Sequence, residues 1–202
     1  MMKKYVRITS FILLLALMLA ACAPAANNDM MKNNDMDAKD EEMTEPMDDM
    51  SALPDWGSLE SVNVNTGETF TLADYSGKVV LVETLAMWCS SCYAQQQQVQ
   101  ALHEILGDRD DFVSIGMDID INETPEDLAA YTATHGFDWV YTVASKDLAR
   151  GIANEFGAQF LNPPLTPIFL IGRDGDLVEL PFGIKNAEDL EAVITPLLDQ
   201  MN

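Results

Sequence analysis

Two cysteines three positions apart, Cys89 and Cys92, are the residues of this chain whose type and spacing best suit chemistry. They come just after the apolar run Val79–Val82 and just before a stretch with helical periodicity. At a strand-to-helix junction, the unpaired N–H groups and the dipole of the helix start stabilise a thiolate. The spacing therefore predicts a small reversible disulfide and dithiol–disulfide redox chemistry.

Two other interpretations of the cysteine pair stay open at this point. The pair could be half of a zinc site, but such a site needs about four ligands. The chain has one further cysteine, Cys22, and two histidines, His103 and His135, and neither histidine falls at finger-like spacing. The pair could also form a purely structural disulfide. Counting cysteines favours redox catalysis over both alternatives.

Residues 1–21 have the pattern of a secretory signal. A positively charged start precedes an uninterrupted apolar run at residues 11–21, which is shorter than the roughly 20 residues of a membrane-spanning helix. The run ends in Leu19–Cys22, which resembles the lipobox of bacterial lipoproteins and implies cleavage before Cys22 with lipid on its sulfur. An ordinary signal peptide with Ala-x-Ala-like cleavage and an uncleaved anchor are the alternatives.

Residues 22–52 form the next segment, which is rich in Asn, Asp, Glu and Met and contains no aromatic residue. Such a segment buries too little apolar surface to offset its ordering entropy, so we expect a disordered acidic tether that leads to one domain at residues 53–202. Soft copper(I) ligands are an alternative role for its methionines, although compositional bias is the favoured explanation. These methionines are Met30, Met31, Met36, Met43, Met47 and Met50.

The charge of the chain is strongly negative, at −22. Residues 56–202 alone hold 23 acidic and six basic residues. Such a surface argues against nucleic-acid binding and against electrostatic docking on anionic lipid. A covalent lipid anchor is consistent with this charge.

Strands and helices alternate along the domain, which favours an α/β layer fold with a central mixed sheet flanked by helices. The predicted elements are a hairpin within 59–72, strands at 79–85, 112–119, 138–143, 167–172 and 177–180, and helices from the cysteines to 107, from 124 to 136, at 146–156 and from 187, with Pro196 bending or ending the last. In the first helix, the run Gln95–Gln98 is expected to be a solvated face. The buried stripe of that helix is expected at Val99, Leu102, Ile105 and Leu106.

Four features of residues 53–200 together resemble a known family. They are the opening Leu53–Asp55, the strand and Trp-Cys-x-x-Cys pattern of Val79–Cys92, an inserted helix at Thr124–His135, and Thr166-Pro167 about 75 residues after the cysteines. The chain resembles the thioredoxin-like proteins, and most closely the membrane-anchored, extracytoplasmic redoxins of the TlpA/ResA type. The resemblance implies a thioredoxin-like fold with an N-terminal β-hairpin and one inserted helix.

The resemblance also implies roles for six residues. Cys89 would be the exposed nucleophile and Cys92 the resolving thiol, and Glu83 would be a buried acid that exchanges protons with Cys92. The alternative for Glu83 is a strand-edge carboxylate that faces water, but the apolar run around it favours burial. The remaining three residues would contact substrate; they are Trp88, Thr166 and Pro167. The peptide bond before Pro167 would be cis.

The predicted function is therefore that of an extracytoplasmic, lipid-anchored thiol–disulfide oxidoreductase of a bacterial membrane, in the periplasm or on the outer cell surface. It would act on exported cysteine-containing proteins, with no cofactor beyond its own dithiol, and cytochrome c maturation is one pathway that the family suggests. A membrane thiol-electron transporter would recharge it. A copper-binding metallochaperone of the Sco type and a thiol peroxidase are the alternatives.

Overall fold

The computed structural model describes residues 53–200. The predictions about the signal peptide at 1–21, the lipid-bearing Cys22 and the tether at 22–52 concern residues outside this range. Within the described residues, no helix is long and apolar enough to cross a membrane.

The described chain folds into four helices and seven strands joined by short turns, some of them 3-10 helical. The strands are β1 (Ser61–Val62), β2 (Thr69–Phe70), β3 (Val79–Leu85), β4 (Phe112–Asp118), β5 (Val140–Val143), β6 (Ile168–Ile171) and β7 (Leu177–Glu179). The helices are α1 (Ser90–Leu106), α2 (Pro125–His135), α3 (Lys146–Phe156) and α4 (Ala187–Leu198).

A five-stranded mixed sheet forms the centre of the domain, in the order β5-β4-β3-β6-β7. Strand β3 runs parallel to β4 and antiparallel to β6, and all seven of its residues are buried. Burial on both faces explains why its sequence is nearly all apolar. Strands β1 and β2 form a separate antiparallel hairpin, as the sequence predicts. The predicted α/β fold with a mixed sheet, an N-terminal hairpin and an inserted helix is therefore confirmed.

The sheet has an apolar layer on each face because successive strand residues point to opposite sides. Val79 and Leu81 of β3 join the layer to which α1, α2 and α4 contribute buried side chains. Val80 and Val82 join the opposite layer, to which α3 contributes. Strand β3 therefore ends inside the protein, and the loop after it carries the cysteines to the start of α1.

The buried face of α1 differs from the one that its apolar spacing predicts. Val99 and Leu102 are buried as expected, but Ile105 is 42% exposed. The prediction that Gln95–Gln98 is a solvated face is wrong for Gln95 and Gln96, which have no exposed surface, whereas Gln97 is exposed. Both amides have hydrogen-bond partners inside the protein, which allows a polar side chain to be buried without a large penalty.

The last helix also departs from expectation in a smaller way. Helix α4 continues past Pro196 to Leu198. A proline within a helix removes one backbone donor. Pro196 lies in the final turn of α4. Leu198 in the same turn is buried in the apolar layer that α1 also joins, so packing keeps the last residues helical.

Candidate active site

Cys89 and Cys92 lie at the junction that the sequence predicts, between the end of β3 and the start of α1. Cys89 is the residue that caps the N-terminus of α1, and the two cysteines form a disulfide with their Cα atoms 5.2 Å apart. The Cys89 Sγ accepts a hydrogen bond from the backbone N–H of Cys92 at 3.1 Å. One of the unpaired N–H groups of the helix start is thus directed at the sulfur of Cys89.

The surroundings of the two sulfurs are chemically different. The Cys89 Sγ has an N–H donor and lies 3.3 Å from the hydroxyl of Ser91. The Cys92 Sγ instead lies 3.2 Å from the carbonyl oxygen of Pro163, which can accept a hydrogen bond from a thiol but repels a thiolate. Hydrogen bonds to the charged form favour ionisation, and hydrogen bonds to the neutral form oppose it. In the reduced protein, Cys89 is therefore suited to be a thiolate and Cys92 a thiol.

The exposure of Cys89 is lower than expected for an exposed nucleophile. In the disulfide form Cys89 is only 3% exposed, and Cys92 is not exposed at all. The expectation of an openly exposed Cys89 is wrong for this state, because its side chain packs in the same apolar layer as Leu85 and Ala86. Cys89 is nevertheless the more accessible of the two cysteines.

Trp88 and the loop after β4 form the rim beside the disulfide. Trp88 is 61% exposed, and its indole N–H donates to the Asp120 carboxylate at 2.7 Å. The backbone N–H of Met87 donates to Glu123 Oε2 at 2.8 Å. The loop between β4 and α2 therefore holds the segment that precedes Cys89. The role of Trp88 in substrate binding stays a prediction, and its exposure leaves it free to contact a partner.

Glu83 lies inside the protein, as the apolar run around it predicts. It is 2% exposed and pairs with Gly116 of β4 and Ile168 of β6. Its Oε1 has no hydrogen-bond partner among the described residues. Burial raises the pKa of Glu83 well above its usual value, and the positive charge of Lys185 partly opposes that increase. Burial therefore favours the protonated carboxyl over the carboxylate at this position.

Lys185, in the loop between β7 and α4, is a site residue that the sequence analysis missed. Its Nζ donates to the carbonyl oxygens of Thr166 at 2.6 Å and of Gly183 at 2.7 Å. Burial lowers the pKa of Lys185 to about 8, while the neighbouring Glu83 acts in the opposite direction. No local pattern in the sequence signals this role, because Lys185 is about a hundred residues from Glu83 along the chain.

The turn at Thr166-Pro167 differs from the one that the resemblance implies. None of the described peptide bonds is cis, so the predicted cis-proline is wrong. The chain instead turns into β6 through Thr166, which has a left-handed conformation (φ 47°) after the short 3-10 turn Pro163–Leu165. Pro167 still lies against β3, because its carbonyl oxygen accepts from the Thr84 N–H at 3.2 Å.

The backbone of Thr166 has internal partners on both sides. Its N–H donates to the Pro163 oxygen at 2.7 Å, and its carbonyl accepts from Lys185 Nζ. Thr166 has no exposed surface. The predicted pairing of this backbone with a substrate chain therefore stays a prediction, and donation from the Thr166 N–H to a substrate requires its hydrogen bond to Pro163 to open.

A second buried acid, Asp118, lies at the end of β4 and was also missed. It has no exposed surface, and its pKa is raised to about 8, first by burial and then by the neighbouring carboxyl of Glu123. Burial and the neighbouring carboxyl therefore both favour the protonated form of Asp118. Its place in an apolar strand, as for Glu83 in β3, is the signal that could have identified it.

The two histidines lie in structural surroundings. His103 Nε2 is 2.9 Å from the Ser114 hydroxyl, and the ring of His135 packs against Tyr93 and Tyr131. In the part of the chain that the structure describes, no three His, Cys, Asp or Glu side chains come together as a possible metal site.

Comparison with protein-family models gives a match to the model described as Redoxin over residues 49–194. The chain belongs to the redoxin family. The family assignment agrees with the position of the Cys-x-x-Cys pair at the start of α1. This redoxin is therefore a thiol–disulfide oxidoreductase of the thioredoxin-like type, with Cys89–Cys92 as its redox disulfide.

Solved structures similar to this redoxin show the same fold. A thioredoxin-family thiol:disulfide interchange protein from Chlorobium tepidum is 22% identical with a TM-score of 0.58, over 69% of this chain and 92% of that one. A secreted thiol-disulfide isomerase from Corynebacterium glutamicum is 16% identical with a TM-score of 0.60, over 73% of this chain and 86% of that one. Comparison with curated proteins gave no match.

Proposed function

We propose that this redoxin acts outside the cytoplasm, as a lipid-anchored oxidoreductase that exchanges disulfides with exported cysteine-containing proteins. The unequal surroundings of the two sulfurs carry the proposal: Cys89 has an N–H donor and Cys92 a carbonyl acceptor. A disulfide that serves only stability needs no such difference. The signal and lipobox pattern of residues 1–22 supports the location, as does the description of a similar C. glutamicum protein as secreted.

The proposed reaction moves two electrons between two cysteine pairs. In the reducing direction, the Cys89 thiolate attacks one sulfur of the substrate disulfide, which forms a mixed disulfide and releases one substrate thiolate. The Cys92 thiol then gives its proton to the Glu83 carboxylate and attacks the Cys89 Sγ. The second substrate thiolate leaves, and both substrate thiolates take up protons. The substrate is reduced and Cys89–Cys92 is oxidised; the oxidising direction is the reverse sequence.

The test of the exchange reaction is trapping of the mixed disulfide. Cys92→Ser removes the thiol that resolves the intermediate, so exported proteins should accumulate in disulfide linkage to Cys89. The matched control is Cys89→Ser, which keeps one thiol but places it in the fully buried position and should trap few partners. Non-reducing electrophoresis and mass spectrometry of cell-envelope extracts would identify the adducts. Equal trapping by the two variants would contradict the assignment of roles.

The lipid anchor has an independent test. A radiolabelled fatty acid should label the wild-type protein and should not label Cys22→Ala, while Cys89→Ala should remain labelled as the matched cysteine control. Labelling of Cys22→Ala would reject the anchor and leave the redox proposal intact.

The partners that we propose are exported cysteine-containing proteins and a membrane thiol-electron transporter that recharges the dithiol. The apoproteins of c-type cytochromes are one group of substrates within this proposal. Such apoproteins carry a Cys-x-x-Cys-His haem-attachment motif, whose disulfide must be opened before haem can attach. A cell that lacks this redoxin should then lose covalent haem staining of its c-type cytochromes, and added external thiol should restore the staining. Unchanged staining would remove cytochrome maturation from the proposal.

A further inference from the structure

Lys185 has an unusual position for a lysine, because its ammonium group lies among backbone carbonyls at the turn into β6, two residues before Ile168, the β6 partner of Glu83. It donates to Thr166 O in the turn before β6 and to Gly183 O in its own loop. These hydrogen bonds hold the positive charge at a defined point. A charge held in partly desolvated surroundings acts on its neighbours more strongly than one in water does.

Gln95 of α1 holds the backbone of Lys185 in place. The Lys185 N–H donates to Gln95 Oε1 at 2.7 Å, and Gln95 Nε2 donates to the Lys185 carbonyl oxygen at 3.1 Å. Gln95 has no exposed surface and lies one turn after Cys92. Its amide therefore links the helix that carries the disulfide to the loop that carries the lysine. A buried amide with both ends paired is costly to replace by an apolar side chain of different shape.

The titratable groups around Glu83 come from several elements. Tyr141 of β5 lies over Gly116, the β4 residue that pairs with Glu83. Tyr131 of α2 is linked to Tyr141 through Gln96: the Tyr131 hydroxyl accepts from Gln96 Nε2, and the Tyr141 hydroxyl donates to Gln96 Oε1. Burial raises the pKa values of both phenols, so both are neutral across the physiological range. Among residues 53–200, Lys185 is therefore the group whose positive charge opposes the penalty for burying the Glu83 carboxylate.

We propose that Lys185, held in place by Gln95, is a positioning residue for thiol–disulfide exchange, whose ammonium charge keeps the buried Glu83 carboxyl able to ionise and to take the proton of Cys92. This inference rests on the proposed function, because it assigns a role within the same exchange reaction. No chemical bond forms or breaks at Lys185. Its contribution is electrostatic and acts through Glu83.

The direction of the expected effect follows from the proton transfer. Glu83 accepts the proton of Cys92 only as a carboxylate, so the rate of the resolving step rises with pH as Glu83 ionises. Without the ammonium charge, the pKa of Glu83 is higher and the rise occurs at more alkaline pH. A nearby opposite charge shifts a carboxyl pKa by about one unit or more, so the rate below the midpoint should fall roughly tenfold.

The experiment measures the resolving step in the purified full chain between pH 5.5 and 9. Reduced protein is mixed with a small disulfide-linked peptide under single-turnover conditions, and release of the second peptide thiol is followed. Lys185→Met removes the charge and keeps most of the side-chain length. Lys185→Arg keeps the charge, and Lys146→Met is the matched control because Lys146 is an exposed lysine at the start of α3.

The expected result is an alkaline shift of about one pH unit in Lys185→Met, with a profile close to wild type in Lys185→Arg and Lys146→Met. The difference should disappear above pH 8, where Lys185 itself loses its charge. In a Glu83→Gln background, Lys185→Met should cause no further shift. Should Lys185→Met fail to fold, Gln95→Leu keeps the charge but releases the backbone of Lys185, and it should shift the profile in the same direction.

Two outcomes would overturn the inference. A wild-type profile in Lys185→Met would exclude a role for the charge, and an equal shift with and without Glu83 would show that Lys185 acts through another group, such as Cys89. Failure of the proposed function would look different, because the wild-type protein itself would then release no peptide thiol at any pH.

Discussion

The burial of Glu83 leads to a prediction about how the stability of the protein changes with pH. The carboxyl is 2% exposed, and Oε1 has no hydrogen-bond partner among the described residues. Its pKa in the folded protein is raised well above 4.5, chiefly by burial. Glu83→Gln has nearly the same shape and cannot ionise. The variant should therefore lose one component of the pH dependence of unfolding.

The sign and size of this component follow from proton binding. Below pH 4.5 Glu83 is protonated in both the folded and the unfolded chain, so its contribution to stability is fully present there. Between that pH and the raised folded pKa, the folded chain keeps a proton that the unfolded chain releases. Stability then falls by about 1.4 kcal/mol per pH unit. Above the folded pKa the loss is complete and no further change comes from Glu83.

The assay is urea unfolding of the oxidised protein at half-unit steps from pH 5 to pH 8. At each pH below the folded pKa of Glu83, the free energy of unfolding of the wild type should decrease with pH more steeply than that of Glu83→Gln, by about 1.4 kcal/mol per unit. Any constant penalty for burying the amide cancels when slopes are compared. Asp118→Asn is the matched variant, because the pKa of Asp118 is also raised, to about 8, and it should flatten the profile in the same direction.

Identical slopes for the wild type and Glu83→Gln would refute the reasoning. They would mean that Glu83 is ionised in the folded protein throughout this range, and that its burial does not raise its pKa. The proton exchange assigned to Glu83 in the resolving step would then have no basis.

Two further predictions concern the cysteines and the strand beside Glu83. In the reduced protein, iodoacetamide should modify Cys89 roughly tenfold faster than Cys92 at pH 7, because Cys89 has the N–H donor and is the more accessible. Mass spectrometry measures the two rates, and equal rates would contradict the assignment of Cys89 as the nucleophile. Gly116→Ala should lower the free energy of unfolding by about 1–3 kcal/mol, since the added methyl group would overlap the ring of Tyr141. Urea unfolding measures the loss of stability, and an unchanged midpoint would show that the ring can move aside.

Much of the fold was predictable because it depends on local patterns. The apolar run at Val79–Leu85 predicts a strand buried on both faces, and the structure has that strand with the same bounds. Helix α3 also has its predicted bounds, Lys146–Phe156. The place of Cys89 at the start of α1 follows from the same local order, because the strand ends and the helix begins within a few residues.

The errors arose where a side chain meets a partner far away in the chain. Gln95 and Gln96 look like a solvated face by composition, yet they are buried because partners up to ninety positions away accept and donate their hydrogen bonds. The bond before Pro167 was expected to be cis by resemblance, but the left-handed turn at Thr166 redirects the chain with a trans bond.

The sequence by itself determined the redox pair, its helix-start position, the buried acid in β3 and the α/β order of elements. Each depends on residues within a few positions of one another, where periodicity and capping act. Only the tertiary structure decided that the Lys185 ammonium lies at the turn into β6, the strand that pairs with Glu83, that Gln95 holds the Lys185 backbone, and that Cys92 faces the Pro163 carbonyl. The contacts of Cys92 with Pro163 and of Gln95 with Lys185 join residues 71 and 90 positions apart. They arise because the packing of helices on the sheet brings the loops at one end of the strands together, and no local pattern encodes that packing.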